Sequence, residues 1–310
     1  MSGWLFAKGR QAMKIAFLGD VHGCVLHALG AAVVLQSHLG VRLDAVIQVG
    51  DLGAFPSFDR WDEASRRFAR DHPAQGDFFH LLDPSPAFAE GVRSALGRVP
   101  SVLFVSGNHE DHDWLASLHD AAALHDAAAA EVVPVDPLGA FRHVACGNVV
   151  QVAGQRVAFL GLIEVPGKMD LDESAYARLM AVAPGDVDVL VTHDGPYGMS
   201  RDRRGNVQGS AKLTALIEHL QPRLHVSGHY HHLNGPRRYG CTTSYALAQL
   251  VRPRSTLWEP EPINQEQRVT AGSIGLFDTE TGGFEYVQDD WLAGIRGDAL
   301  DLAELVAAHS

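Results

Sequence analysis

Cysteine is scarce in this chain of 310 residues, where Cys24, Cys146 and Cys241 are the only three. They are widely spaced and form no C-x-x-C pair, which argues against a disulfide framework. The pattern suits a reducing compartment, and a cytoplasmic protein is expected. Cys24 falls at an expected helix start, which leaves two readings: a thiol of lowered pKa, or a small buried side chain. Long apolar runs are also missing. No stretch reaches the ~18–20 uninterrupted apolar residues that a membrane-spanning helix needs. Met1 to Lys14 is broken by Lys8, Gly9 and Arg10, and it lacks the apolar region and small-residue cleavage site of a signal peptide. Basic residues are in deficit, with 25 Lys and Arg against 37 Asp and Glu and a formal net charge of -12. General DNA binding needs phosphate-neutralising cations and is not expected. A nucleotide or RNA substrate held locally stays compatible with this charge. Two arginine groups, Arg201, Arg203 and Arg204, and Arg237, Arg238, Arg252 and Arg254, read either as substrate contacts or as solvated loop faces. There is no Ser-centred elbow, P-loop or dinucleotide fingerprint.

What is present is an alternation of short apolar runs and helical segments. Lys14–Leu18, Asp44–Val49 and Ser101–Val105 read as buried strands, with an amphipathic helix expected over Cys24–Leu39. Between Phe55 and Pro100 lies a polar insertion. Its helical spacing over Asp59–Arg70 is broken at Asp71-His72-Pro73, and a second helix runs from Asp83-Pro84-Ser85-Pro86 to about Arg98. The insertion is either a substrate wall or a peripheral decoration. Four short runs from Val132 to Leu160 read as a meander of antiparallel strands. A helix follows from about Asp172 to Ala183, then a strand over Val187–Val191. Ser210 is placed to cap a helix over Ala211–Leu220 that Pro222 stops, ahead of a strand over Leu224–Ser227. Thr242–Leu250 and two runs around 272–277 and 283–287 are expected to extend a second sheet. A helix over Asp298–Ala308 closes the chain. The expected fold class is α/β, with two packed mixed β-sheets flanked by helices. The expected organisation is one domain over residues 13–290 with a helical insertion at about 55–100, followed by a helical extension over 291–310.

Five polar clusters each follow an apolar run. They are Gly19-Asp20-Val21-His22-Gly23, Gly50-Asp51-Leu52-Gly53, Gly107-Asn108-His109-Glu110, Thr192-His193-Asp194-Gly195-Pro196 and Gly228-His229-Tyr230-His231. Strand ends are where open α/β sheets collect ligands. Asp, Asn and His suit borderline divalent metals, and the clusters' lack of Cys argues against a thiolate site. In an extended backbone Asp20 and His22 would share a face, as would His229 and His231. A carboxylate can join two cations, and Asp51, alone in its loop, is the candidate bridge. A lone histidine is usually structural, and most of the 17 His, such as His27, His72 and His225, fall outside the clusters. The order and placement of the clustered ones set them apart.

This set resembles the calcineurin-like metallophosphoesterase superfamily, in motif order over roughly Met13 to Leu250. The resemblance implies a four-layer αββα sandwich and a centre of two divalent transition metal ions, Mn, Fe or Zn. It implies that Asp20, His22 and His231 hold the first ion, that Asn108, His193 and His229 hold the second, and that Asp51 bridges them. His109 would contact the phosphoryl group and protonate the leaving oxygen. Glu110 and Asp194 would either orient ligand histidines as acceptors or serve loops and helix starts. Two cations ~3.5–4 Å apart neutralise phosphoryl oxygens and acidify a bridging water, whose hydroxide attacks phosphorus. The function implied is metal-dependent hydrolysis of phosphate esters, with a phosphodiesterase expected first. A phosphomonoesterase or protein phosphatase, and a non-catalytic metal-binding module, are the alternatives. The Gly-Asn-His-Glu, His-Asp-Gly-Pro and Gly209-Ser210 segments are also similar to RNA lariat-debranching enzymes, which typically carry Cys where this chain has His22 and usually lack a glycine at Gly228. Many superfamily members place an acidic residue or Asn three positions after the bridging Asp; here that position is Ala54.

Overall fold

The computed structural model describes residues 13–126, 128–165, 171–254 and 263–310. Most of the N-terminal segment considered above for a signal peptide lies outside them. The first half runs β1 (Lys14–Leu18), α1 (Val25–Leu39), β2 (Ala45–Gln48), α2 (Glu63–Ala69), α3 (Asp77–Leu82), α4 (Pro86–Leu96), β3 (Val102–Phe104), α5 (His112–Ala123), β4 (Val132–Pro134) and β5 (Phe141–Val144). The second half runs β6 (Val149–Val152), β7 (Gln155–Leu160), α6 (Glu173–Met180), β8 (Val189–Thr192), a small ribbon of β9 (Ser200–Arg201) and β10 (Val207–Gln208), and α7 (Ala211–Leu220). It ends with β11 (Leu224–Ser227), β12 (Asn234–Tyr239), β13 (Thr242–Ala246), β14 (Ile274–Asp278), β15 (Phe284–Val287) and α8 (Leu302–Ala308).

Two mixed sheets result, in the orders β15-β14-β1-β2-β3-β5-β4 and β12-β13-β11-β8-β7-β6. Their central strands are apolar on both faces because both faces are covered. Ile15 and Phe17 enter the core between the sheets, together with Val157, Phe159, Val189 and Val191. Their neighbours Ala16 and Leu18 face the layer that contains α1. Ala158, Leu160 and Leu190 face the layer of α6 and α7. This is the four-layer α/β arrangement expected. Within the sheets β1, β2 and β3 run parallel, as do β8 and β11, so the loops that leave their C-terminal ends carry the five clusters.

Local chemistry sets the helix starts. Asp62 accepts from Ser65 N, Ser85 from Phe88 N, and Ser210 from Leu213 N, each satisfying an otherwise free first-turn donor. The C-terminal helix is capped by Asp301, so it begins later than its sequence reading.

Three expectations are corrected, and one pair of alternatives is decided. Helix α1 is not amphipathic: every residue from Val25 to Leu35 is buried, because α3, α4 and α8 cover its outer side. The supposed meander splits, with β5 pairing parallel to β3 in the first sheet and β6 antiparallel to β7 in the second. Turn residues are the same whether the chain folds back or crosses between sheets, so local sequence does not separate the two. Strands β14 and β15 join the first sheet rather than the second, β14 lying antiparallel to β1 with Lys14 opposite Asp278. Their side chains form an ion pair of 2.6 Å there. Cys24, finally, is a buried thiol whose pKa burial pushes well up, with the Asp77 and Asp298 charges adding to the effect.

Candidate metal centre

The loops reach their positions through unusual backbone. His22, Asp51, His229 and His231 all have positive φ, at 45°, 57°, 70° and 61°. Such left-handed conformations cost non-glycine residues on the order of 1–3 kcal/mol each and persist where surrounding structure fixes them. Here Val21 N and His22 N both donate to Asp51 O, which locks the first two loops together. The extended backbone expected at Asp20–His22 and His229–His231 is therefore corrected to turns. Two glycines let the loops press on carboxylates. A Cβ on Gly107 would lie 2.1 Å from Asp51 Oδ1, and one on Gly228 would lie 2.2 Å from Asp20 Oδ1.

Asp20, His22, Asp51 and His231 offer donor atoms that all lie within 4.8 Å of one another. His22 Nε2 and His231 Nε2 are 3.2 Å apart. His231 Nε2 is 3.2 Å from Asp20 Oδ2, and His22 Nε2 is 3.8 Å from Asp51 Oδ2. Asp20 also accepts from His229 N at 3.1 Å. Asp51 Oδ1 accepts from His109 N at 2.8 Å, while Asp51 Oδ2 is buried and has no hydrogen-bond partner. Leaving a buried carboxylate oxygen without a counterpart is costly, and a divalent cation shared with the neighbouring imidazoles would remove that cost. The donor set of imidazole and carboxylate fits such an ion.

His193 extends the site. Its Nδ1 meets Val49 O at 3.0 Å. Its Nε2 faces two oxygens, Asn108 Oδ1 at 3.1 Å and Asp51 Oδ1 at 3.4 Å. A neutral ring that donates from Nδ1 would aim a lone pair at both oxygens, an arrangement that asks for a cation between them. Burial opposes charge on this ring, yet the contact and charge of Asp51, then Asp20 and Glu110, push its pKa up to about 10. The pocket stabilises positive charge. His229 stands beside it, its ring centroid 5.2 Å from that of His193. His229 is outside the tight four-residue group, so the second set is looser than the first.

The structure adds a residue that the motifs did not show. Asp62, the cap of α2, accepts from His109 Nδ1 at 2.7 Å. Burial lowers the His109 pKa, but that hydrogen bond and the Asp51 and Asp62 charges outweigh it and raise it to about 9. The sequence reading places Asp62 inside the expected helix over Asp59–Arg70; the structure starts α2 after it and makes it the cap. Glu110 and Asp194 touch no histidine ring by hydrogen bond. Glu110 accepts from Leu52 N at 2.6 Å and Gly107 N at 2.7 Å, clamping the loops after β2 and β3. Asp194 accepts from Tyr230 Oη at 2.7 Å and from Gly195 N at 2.8 Å.

A cavity opens beside His22, His109 and His231, walled by Ser65, Phe68 and Gln75 of the insertion and by Gln249. The insertion is a wall of the site. Among the described residues no Lys or Arg lines this cavity. Of the two arginine groups, Arg254 is committed elsewhere, to Asp298 Oδ2 at 2.5 Å and Asp71 O at 3.0 Å. Arg237 and Arg238 are exposed on β12, at an edge of the second sheet.

With this geometry in hand, one of the comparisons with known proteins shows the class. The family model of calcineurin-like phosphoesterases matches residues 13–233, more than half of the chain. The chain belongs to the calcineurin-like phosphoesterase family, whose members act on phosphate esters. A curated relative, UPF0046 protein K07C11.7 of Caenorhabditis elegans, is 33% identical over 73 residues, 24% of this chain and 25% of that protein. The alignment thus spans about a quarter of the relative's length. Among solved structures, TT1561 of Thermus thermophilus is similar at 15% identity with a TM-score of 0.46, covering 90% of this chain and 99% of that one. A phosphatase from Mycoplasma pneumoniae is similar at 12% identity with a TM-score of 0.42, covering 91% of this chain and 96% of that one. Among the described residues no helix is long and apolar enough to cross a membrane.

Proposed function

We propose that the chain is a phosphodiesterase whose centre holds two divalent transition metal ions, Mn, Fe or Zn. Asp20, His22 and His231 would hold one, Asn108, His193 and His229 the other, and Asp51 both. The observation that carries the reading is the convergence of Asp20, His22, Asp51 and His231 around the unpartnered Asp51 Oδ2. When bound, the ions supply charge neutralisation of the phosphoryl oxygens and a lowered pKa for water.

The remaining steps belong to side chains. Asp62 fixes the ring of His109 through Nδ1, which leaves Nε2 to donate a proton to the departing ester oxygen. A positioned general acid of this kind is worth ~100–10,000-fold. Phe68 and Gln249 line the cavity beside this ring and offer contacts to a second ester group. The lack of Lys and Arg among the described residues of that cavity favours a diester with one negative charge over a monoester with two.

The test is a substrate panel with protein loaded in turn with Mn, Fe(II) and Zn. It contains bis(p-nitrophenyl) phosphate, p-nitrophenyl phosphate, cyclic nucleotides, and RNA with 2′,5′ or 3′,5′ linkages. Faster cleavage of the bis-aryl ester than of the mono-aryl ester is expected. The reverse order would replace the diesterase reading with the monoesterase one, and inertness across the panel would leave a metal-binding module. Selective cleavage of the 2′,5′ linkage would extend the debranching similarity to activity; indifference to it would end it.

A further inference from the structure

A second cavity, of about 450 Å³, lies between the insertion and the C-terminal segment. Its size falls within the ~300–1,000 Å³ of small-molecule sites. Apolar walls come from Leu26, Phe88, Leu300 and Leu302, and polar groups from Asp77 and Asp298, with Asp301, His80 and Ser85 also on its surface. Among the described residues no Lys or Arg lines it.

Asp77 is the informative residue. It is 7% exposed, it lines the cavity, and its Oδ2 has no hydrogen-bond partner. Burial pushes its carboxyl up to about 8. Asp298 Oδ2 accepts from Arg254 Nη2 at 2.5 Å, which pairs its charge, and its Oδ1 is buried without a partner. The imidazole of His27, on the neighbouring helix, does not supply a charge for Asp77: burial lowers its pKa to about 4, so it stays uncharged. A buried carboxyl in apolar surroundings without a partner is unfavourable, and an ionised ligand group that pairs with it is strongly bound there. Beside two carboxyl groups and with no Lys or Arg among the described lining residues, an anionic ligand would find no counter-charge here. A bare metal ion is also disfavoured, since among the described residues no three donor side chains converge here as they do at the catalytic centre. A neutral apolar molecule would leave Asp77 unsatisfied.

We propose that this cavity is a binding site for a small organic ammonium ion, its charged end paired with Asp77 and Asp298 and its apolar body set against Phe88, Leu300 and Leu302. The site is separate from the metal centre. The short segment that carries Asp77 also carries Gln75 into the catalytic cavity.

The experiment is calorimetric titration of Mn-loaded protein with cyclohexylammonium chloride and, separately, with cyclohexanol, for the wild type and Asp77→Asn. Asn has the shape of the protonated acid, so the variant is expected to fold and to keep its phosphoesterase rate. Saturable binding of the ammonium is expected, at least about tenfold tighter than the alcohol and at least about tenfold tighter than in the variant. A second measurement uses the wild type alone, following methyl resonances of Leu300 and Leu302, which should shift with the same saturation curve. Absence of saturation, equal binding of the alcohol, undiminished binding by Asp77→Asn, or shifts confined to the metal centre would each overturn the proposal.

Discussion

Asp51 joins the parts of the centre. Its backbone oxygen ties the first loop, its Oδ1 meets His109 N and His193, and its Oδ2 faces His22. Asp51→Asn keeps the shape and removes the charge, so hydrolysis of bis(p-nitrophenyl) phosphate should fall by at least ~1,000-fold, with the far-ultraviolet circular dichroism unchanged. Asp62 acts through another group, the ring of His109. Asp62→Asn should lower kcat by ~10–100-fold and leave KM nearly unchanged, and Asp62→Glu should recover part of the loss. The clusters were legible because chemistry puts Asp, Asn and His at strand ends with fixed neighbours. Asp62 was not, because its partner His109 lies far along the chain and nothing local marks the contact. The turns at His22, His229 and His231 were hidden for a related reason: their positive φ is imposed by loops packed from elsewhere in the sequence.

At the scale of elements, the insertion lines the cavity beside the candidate centre and the C-terminal helix packs into the core. Phe68 of α2 lines the cavity beside His22, His109 and His231, so on the proposed function Phe68→Ala should raise KM for bis(p-nitrophenyl) phosphate several-fold more than it lowers kcat, as steady-state kinetics would show. Helix α8 lays Leu302 and Val306 into the same buried cluster as α1 and α4. Leu302→Ala should destabilise the fold by ~2–5 kcal/mol in urea denaturation. The same packing explains what the sequence concealed. Strands and capped helices such as Ala211–Leu220 were readable from apolar runs and from Ser210. The burial of α1, the crossing from β5 to β6, and the pairing of β14 with β1 depend on partners distant in sequence, which periodicity does not report.

For the whole molecule, two burdens of buried acid set its response to conditions. Asp77 has a folded-state pKa of about 8 against an ordinary 3.8, so the folded chain holds its proton more tightly than the unfolded one. That contribution is fully present below pH about 4 and is lost as pH rises through about 8. The urea midpoint of the wild type should therefore fall over this range, and that of Asp77→Asn should fall less. The second burden, Asp20 and Asp51, would be relieved by the proposed cations: metal at about 100 times its Kd should add about 2.7 kcal/mol to stability. The most direct measurement is hydrolysis of bis(p-nitrophenyl) phosphate by metal-stripped protein before and after reloading with Mn, with the wild type and Asp51→Asn side by side and bound metal counted by mass spectrometry. The account predicts an inert stripped enzyme, activity restored as two ions bind, and no restoration in the variant. Full activity without metal, or an Asp51→Asn variant that binds two ions and hydrolyses at the wild-type rate, would contradict it.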